Sequence, residues 1–373
     1  MIFHNNNPNK TSKRTVSAAA LLATAAAMAL AGCVAGNTAA RAEAQQTTAA
    51  SAQDERAARS EVLAQLADRL ETGYLFPQWG AAYAAYLRER GISEADAALS
   101  AEDFASLITD ELQEVYPDGH LRLEVMEEGE DEHPHGPPPP SNFAAHHADG
   151  VSYMRIDLLF GLEETMVLLE DFVTAAAPGK AIIIDLRENR GGGLREMDFL
   201  FAEMFAEPTD LVVMEIREII FENDGAPFGG ATSLHRIDAP EGLVHHMHRT
   251  APASPPRLAD HAIYVLTSNI TGSAGEHITM ALQRTGRAMI VGEATRGAAH
   301  FGGMLPVGHG FAAFVPAGRT FNPDTGESWE GTGNQPDIAT AADQALRRAL
   351  AEAGLGDAAM QEFVAAIDAA PGP

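Results

Sequence analysis

Apolar positions recur at helical spacing soon after residue 60: Val62, Leu63, Leu66 and Leu70 in one run, then Ala82, Tyr83, Tyr86 and Leu87 in the next. Each set falls on one face of a 3.6-residue period and predicts an amphipathic helix. Ser100, with Glu102 and Asp103 just behind it, predicts the start of a third, so residues 54–116 read as a small helical domain. From residue 151 the texture changes. "VSYMRI", "AIIIDLR", "LVVMEIR", "AIYVLTS", "AMIVGE" and "GFAAFVPAG" are short, nearly continuous apolar runs, with helical patterns at about 164–177, 195–206 and 274–285 among them. Such alternation predicts an α/β core built on a buried sheet over residues 117–350, with 351–373 as a C-terminal tail. Gly286 is placed to end the helix that begins after Ser273.

Composition narrows the function more than the fold. The 373 residues carry a formal charge of -27, which argues against a nucleic-acid partner, since such a protein presents a basic face. Residues 127–150, "EEGEDEHPHGPPPPSNFAAHHADG", are acidic and proline-rich and read as a loop. Its histidines, His133, His135, His146 and His147, lack the rigid spacing of a metal site, so no metal is expected there.

The N-terminus has the design of an export signal. Lys10, Lys13 and Arg14 precede "VSAAALLATAAAMALAG", an alanine-rich apolar stretch too short and weak for a membrane-spanning helix. It ends in "LAGC", and Cys33 is the sole cysteine. Residues 1–32 then form a signal peptide, and 33–53 a small, polar tether. Cleavage removes three basic and no acidic residues, leaving 22 against 52, a net -30.

Two glycine- and serine-bearing turns carry the candidate chemistry. "AIIIDLRENRGGGLREMDFLF" runs a strand through three glycines into a helix, where free amides attract negative charge. The spacing matches neither a P-loop nor GxGxxG, and a tight turn without a ligand explains the glycines equally well. "TSNITGSAGEH" places Ser273 at a helix start three residues before Glu276, the pattern of a capping box. The same position exposes the serine hydroxyl beside the amide of Ala274, the arrangement of a nucleophile with an oxyanion donor. Glu276 and His277, in the first turn, read as cap and surface; Asp185 and Arg187 read as an ion pair.

"TSNITGSAGEHITMALQRTGRAMIVGEATRGAAHFGG" with "VPAGRTFNPDTGESWEGTGNQPDI" resembles the tail-specific serine peptidases, as does "IIIDLRENRGGG". "ETGYLFPQWGAAYAAYL" and "VYPDGHLRLEV" resemble the branch containing the tricorn core and the interphotoreceptor retinoid-binding protein. The resemblance implies a Clp protease/crotonase-like spiral α/β core preceded by a small helical domain. Separately, "LAGC" resembles a bacterial lipoprotein signal, which implies that Cys33 is acylated and the chain anchored to a membrane, facing the periplasm. About 60 residues separate His120 from "AIIIDLR", too few for the PDZ module of the processing-protease branch.

The processing-protease branch uses a lysine base at the position occupied here by Ala298, and the only lysines are Lys10, Lys13 and Lys180. The tricorn-like branch uses a histidine, which falls on His120 of "PDGHLRL", and a glutamate, which falls on Glu330 of "WEGTGNQPDI". Its serine before the histidine is replaced by Gly119, and His300, two residues beyond the lost lysine position, competes for the base role. The implied activity is hydrolysis of peptide bonds in protein or peptide substrates. Ser273 would attack, His120 would move the proton, Glu330 would orient, and the Gly192 and Ala274 amides would hold the oxyanion. No cofactor is needed. Two alternatives remain, an inactive member that binds apolar ligands and one that binds peptides. Substrate choice would lie in the helical domain or an insertion at 221–260.

Overall fold

The computed structural model describes residues 52–126, 143–225, 229 and 231–369. The signal, the tether through residue 51 (Cys33 included), His133 and His135 lie outside the described residues, while residues 52 and 53, expected in the tether, open the first helix. Four helices open the described chain: α1 (52–73), α2 (Pro77–Arg90), α3 (Glu94–Ala97) and α4 (Ala101–Val115). Ser93 caps α3 reciprocally with Asp96, and Ser100 caps α4 through Asp103 N–H at 3.0 Å.

Two compact units divide the chain, and the boundary expected at 116 is not between them. Among the described residues, one comprises 52–58 together with 92–98, in which Arg56 donates to the Ile92 carbonyl at 2.9 Å. The other comprises the described residues of 59–91 and 99–369, and holds everything that follows.

Its first sheet follows the order β12–β9–β8–β4–β3–β2. Strands β3 (Val151–Ile156), β4 (Ala181–Asp185), β8 (Ala262–Thr267), β9 (Met289–Gly292) and β12 (Ile338–Ala339) run parallel, and β2 (Phe143–Ala148) pairs antiparallel with β3. Strand alternation sends Met154, Ile182, Ile184, Ile263 and Val265 to one face. There they pack on α5 (Glu163–Ala176), α6 (Arg195–Met204) and α8 (Ala274–Arg284). Tyr153, Ile183, Tyr264 and Leu266 point to the other face, against α9 (Ala342–Glu352) and α10 (Asp357–Ala369). Both faces are covered, which is why these strands read as unbroken apolar runs.

Two sequence expectations change here. Residues 143–148, read as part of a loop, form β2, where paired alanines and paired histidines give no period-two pattern and His147 Nδ1 meets Ser152 Oγ at 2.8 Å. The C-terminal tail is helical through Ala369, because Phe363 is buried against that second face, edge-on to His146.

The second sheet is antiparallel, in the order β1–β11–β5–β7–β6 with β10 also on β11. It contains β1 (Arg122–Val125), β5 (Asp210–Arg217), β6 (Leu234–Ile237), β7 (Leu243–Arg249), β10 (His300–Gly308) and β11 (Phe311–Phe321), and α7 (Glu218–Asp224) follows β5. The expected insertion at 221–260 thus supplies two of its strands.

Candidate active site

Ser273 stands where the loop after β8 enters α8, with φ 51° and ψ -117°, a backbone conformation that side chains other than glycine avoid. Its amide donates to Glu276 Oε2 at 2.9 Å. The Glu276 side chain is buried, correcting its reading as a simple cap. Its Oε1 accepts from Thr295 Oγ1 and Gly297 N at 2.6 Å each, and its Oε2 also accepts from Ala298 N at 2.8 Å. The carboxylate therefore ties the segment after β9 to the start of α8. Burial raises its pKa against these four donors.

The glycine turn after β4 faces the serine. A Cβ on Gly191 would lie 2.7 Å from Ser273 Cβ, and one on Gly192 would lie 2.1 Å from the Leu159 carbonyl oxygen. Asn189, fully buried, locks the two turns together: its Oδ1 accepts from Gly191 N at 2.9 Å, its carbonyl accepts from Gly272 N at 2.9 Å, and its Nδ2 donates to Ile156 O at 2.9 Å. Sequence reasoning passed over this asparagine, although it stands inside "DLRENRGGG". Asp185 and Arg187 do pair, at 2.6 and 2.9 Å. Lys180 lies at the opposite end of β4, its stem over Gly150, about 16 Å of strand away from the turn.

Ser273, Gly192 and Ala274 line one small cavity together with His300, His277 and Trp329. The Gly192 and Ala274 amides have no hydrogen-bond partner among the described residues, the state an oxyanion donor requires.

His300 is buried, and its Nδ1 lies 2.8 Å from Asp118 Oδ2, which also accepts from the Tyr74 hydroxyl at 2.7 Å. Asp118 Oδ1 takes the His120 and Leu121 amides at 2.9 and 3.2 Å, closing the "PDGH" turn. Burial works against the Asp118 carboxylate, but the His300 imidazole, the Tyr74 hydroxyl and the His120 amide outweigh it and hold its pKa below the usual range.

His120 is placed differently. It is half-buried, stacked on Phe314 with ring centroids 5.5 Å apart, its Nδ1 enclosed without a partner, and it is not among the residues lining the Ser273 cavity. Burial pushes its pKa down to about 4. Glu330 braces both histidine-bearing segments through the backbone: Oε1 accepts from Gly119 N at 3.3 Å, and Oε2 from Ala299 N and His300 N at 2.6 and 3.1 Å. Its Oε1 is also 3.8 Å from His300 Nδ1.

Asp118, His300 and Glu330 offer ligand atoms within 4.8 Å of one another, close enough for a metal ion. Each of the three is already engaged in the protein hydrogen bonds just described, so the fold accounts for the cluster without a ligand.

The described geometry brings a strained serine at a helix start, two free amides and a carboxylate-bound imidazole around one cavity. The model of Peptidase family S41 matches residues 152–340, half of the chain, and the protein belongs to that family. Among solved structures, a peptidase from Parabacteroides merdae superposes with a TM-score of 0.55 at 14% identity, covering 80% of this chain and 98% of that one. A lipoprotein from Streptococcus agalactiae gives 0.51 at 15% identity, covering 79% and 95%. The photosystem II D1 C-terminal processing protease gives 0.41 at 17% identity over 55% of this chain, which spans about half (49%) of that protein's length. The Clp/crotonase-like α/β core expected from the sequence is therefore the fold of this chain.

Proposed function

We propose that the protein is a serine peptidase that hydrolyses peptide bonds of protein or peptide substrates. One observation carries this reading: Ser273, the free amides of Gly192 and Ala274, and an imidazole bound to a carboxylate all border one cavity. Ser273 Oγ attacks the substrate carbonyl carbon while His300 Nε2 takes its proton. Asp118 keeps the His300 Nδ1 proton in place and stabilises the imidazolium. The oxyanion rests on the two amides, each worth roughly 10²–10³ in rate. Collapse returns the proton from His300 to the leaving amine. Water then attacks the Ser273 ester, with His300 again as base.

A second reading keeps His120 as the base, as the DGH resemblance implies. It is favoured by the enclosed, unpartnered Nδ1 of His120 and by the Glu330 contact with Gly119. It requires the ring to leave Phe314 and find an orienting partner. Cell-envelope placement through acylated Cys33 belongs to the same proposal.

Fluorophosphonate labelling of the full chain tests the core of the reading. Wild type should label, and Ser273→Ala should not. A folded wild type that never labels would make the protein an inactive member of its family.

A further inference from the structure

His277 shares the wall of the Ser273 cavity, yet the proposed reaction leaves it unused. It was expected at the surface; instead it is buried at the end of a hydrogen-bonded chain. His277 Nε2 lies 2.8 Å from His248 Nδ1, and His248 Nε2 lies 2.7 Å from Asp198 Oδ1. Asp198 Oδ2 accepts from Ser233 Oγ at 2.7 Å.

With two neutral imidazoles, the protons in this chain have one arrangement. A carboxylate only accepts, so His248 must carry its hydrogen on Nε2 and present a lone pair at Nδ1. His277 must then donate from Nε2, which leaves the lone pair on its own Nδ1. Burial, with His248 beside it, holds the His277 pKa well below its ordinary value and keeps that ring neutral. Because Nε2 is spent on His248, Nδ1 is the nitrogen left for the cavity. His277 stands one turn beyond Ser273 on α8, and helical side chains lean toward the N-terminus, here toward the nucleophile.

The same wall contains a donor. Trp329 is only 3% exposed, and its indole N–H is buried without an acceptor among the described residues. Leu194, Met214, Ala298 and Phe301 make much of the remaining lining apolar. The space is small, about 20 Å³, room for about one water-sized group.

We infer that this cavity receives the side chain of the residue whose carbonyl Ser273 attacks, and that it selects a small hydroxyl-bearing side chain, serine ahead of threonine. The hydroxyl would donate to His277 Nδ1 and accept from Trp329 Nε1–H. A hydroxyl is the group that can do both from a single atom. Alanine would fill the space but leave the acceptor and the donor unpaired, and leucine would not fit. The inference rests on the serine-peptidase reading.

The test is a set of peptides that differ only at this position, carrying serine, threonine, alanine or leucine. In wild type, kcat/KM for serine should exceed that for alanine by about tenfold or more, the range expected when a buried polar group loses its partner. His277→Phe, which keeps a ring but removes the acceptor, should bring that ratio within about twofold. His277→Asn, whose amide returns a polar atom near the position of Nδ1, should restore part of it. If the phenylalanine variant does not fold, the asparagine variant against wild type still reads the ratio. A wild type that prefers alanine or leucine, or a serine preference that survives His277→Phe, overturns the inference.

If the wild type neither labels nor cleaves, the peptidase reading fails by itself. The subsite then stands on binding of peptides ending in serine or alanine to Ser273→Ala, followed by fluorescence anisotropy. A tenfold preference for serine supports it; equal binding refutes it.

Discussion

His300 Nδ1 lies 2.8 Å from Asp118 Oδ2, although 182 residues separate the two in the chain. A closed "PDGH" turn and the buried start of β10 bring them together, and Glu330 bonds to the backbone of both segments. The pairing leads to the first expectation. His300→Ala should lower kcat/KM by at least about 10³, and Asp118→Asn by about 10²–10⁴ through loss of the correct tautomer. His120→Ala should stay within about tenfold of wild type. Steady-state kinetics on folded variants decides it, and a dead His120→Ala beside an active His300→Ala would hand the base role to His120.

The positive φ of Ser273 predicts a separation of stability from activity. Ser273→Ala keeps the strained backbone, whereas Ser273→Gly relaxes it. Both should lose fluorophosphonate labelling, and the glycine variant should be the more stable by about 1 kcal/mol. Thermal unfolding of the pair measures this. A more stable alanine variant would mean that the turn holds no strain.

Glu330→Gln should cost roughly 1–3 kcal/mol, because one amide-bonded oxygen becomes an NH₂ group facing a backbone donor. Turnover should fall less than with His300→Ala, since the glutamine retains one acceptor. Urea unfolding alongside kinetics separates the two effects.

Acid should destabilise the fold across the histidine range. Burial depresses the pKa of His120 to about 4 and that of His277 well below its ordinary 6.5. Between about pH 4 and 6.5 the unfolded chain therefore binds more protons at these residues, and stability falls as the pH falls. Each group contributes up to about 1.4 kcal/mol per pH unit. Glu276, raised by burial, opposes this slope above its unfolded value of 4.5, and Asp118, held low, adds to acid loss only below about 3.8. Urea midpoints at pH 4.5, 5.5 and 7 should rise in that order, with a shallower rise in His277→Phe. A flat profile, or the same slope in the variant, would contradict the burial argument.

Membrane partition reads the N-terminal proposal. Wild type expressed in bacteria should sediment with membranes, and Cys33→Ser should lose that behaviour, since each buried CH₂ of an acyl chain is worth about 0.8 kcal/mol. Wild type found wholly in the soluble fraction would remove the anchor.

By itself the sequence determined those features whose signal is local. Unbroken apolar runs such as "AIIIDLR" declare a strand covered on both faces, and "TSNITGSAGEH" declares a helix opening with a serine at its mouth. The family and the core fold were legible through contiguous motifs, whereas the pairing of the glycine turn with Ser273 came only from the family resemblance. Strands β2, β6 and β10 were not legible, since their alternation is diluted by histidine, glycine and polar residues and each pairs only with the strand that follows it. Only the tertiary structure decided which histidine meets a carboxylate. Asp118 stands two residues before His120 yet gives its side-chain oxygen to His300 from across the fold. It likewise turned Glu276 and His277 inward, one as a clasp and the other as the end of a relay from Asp198. Burial and proton direction arise from what packs against a residue, and a helical position one turn past a serine carries no mark of either.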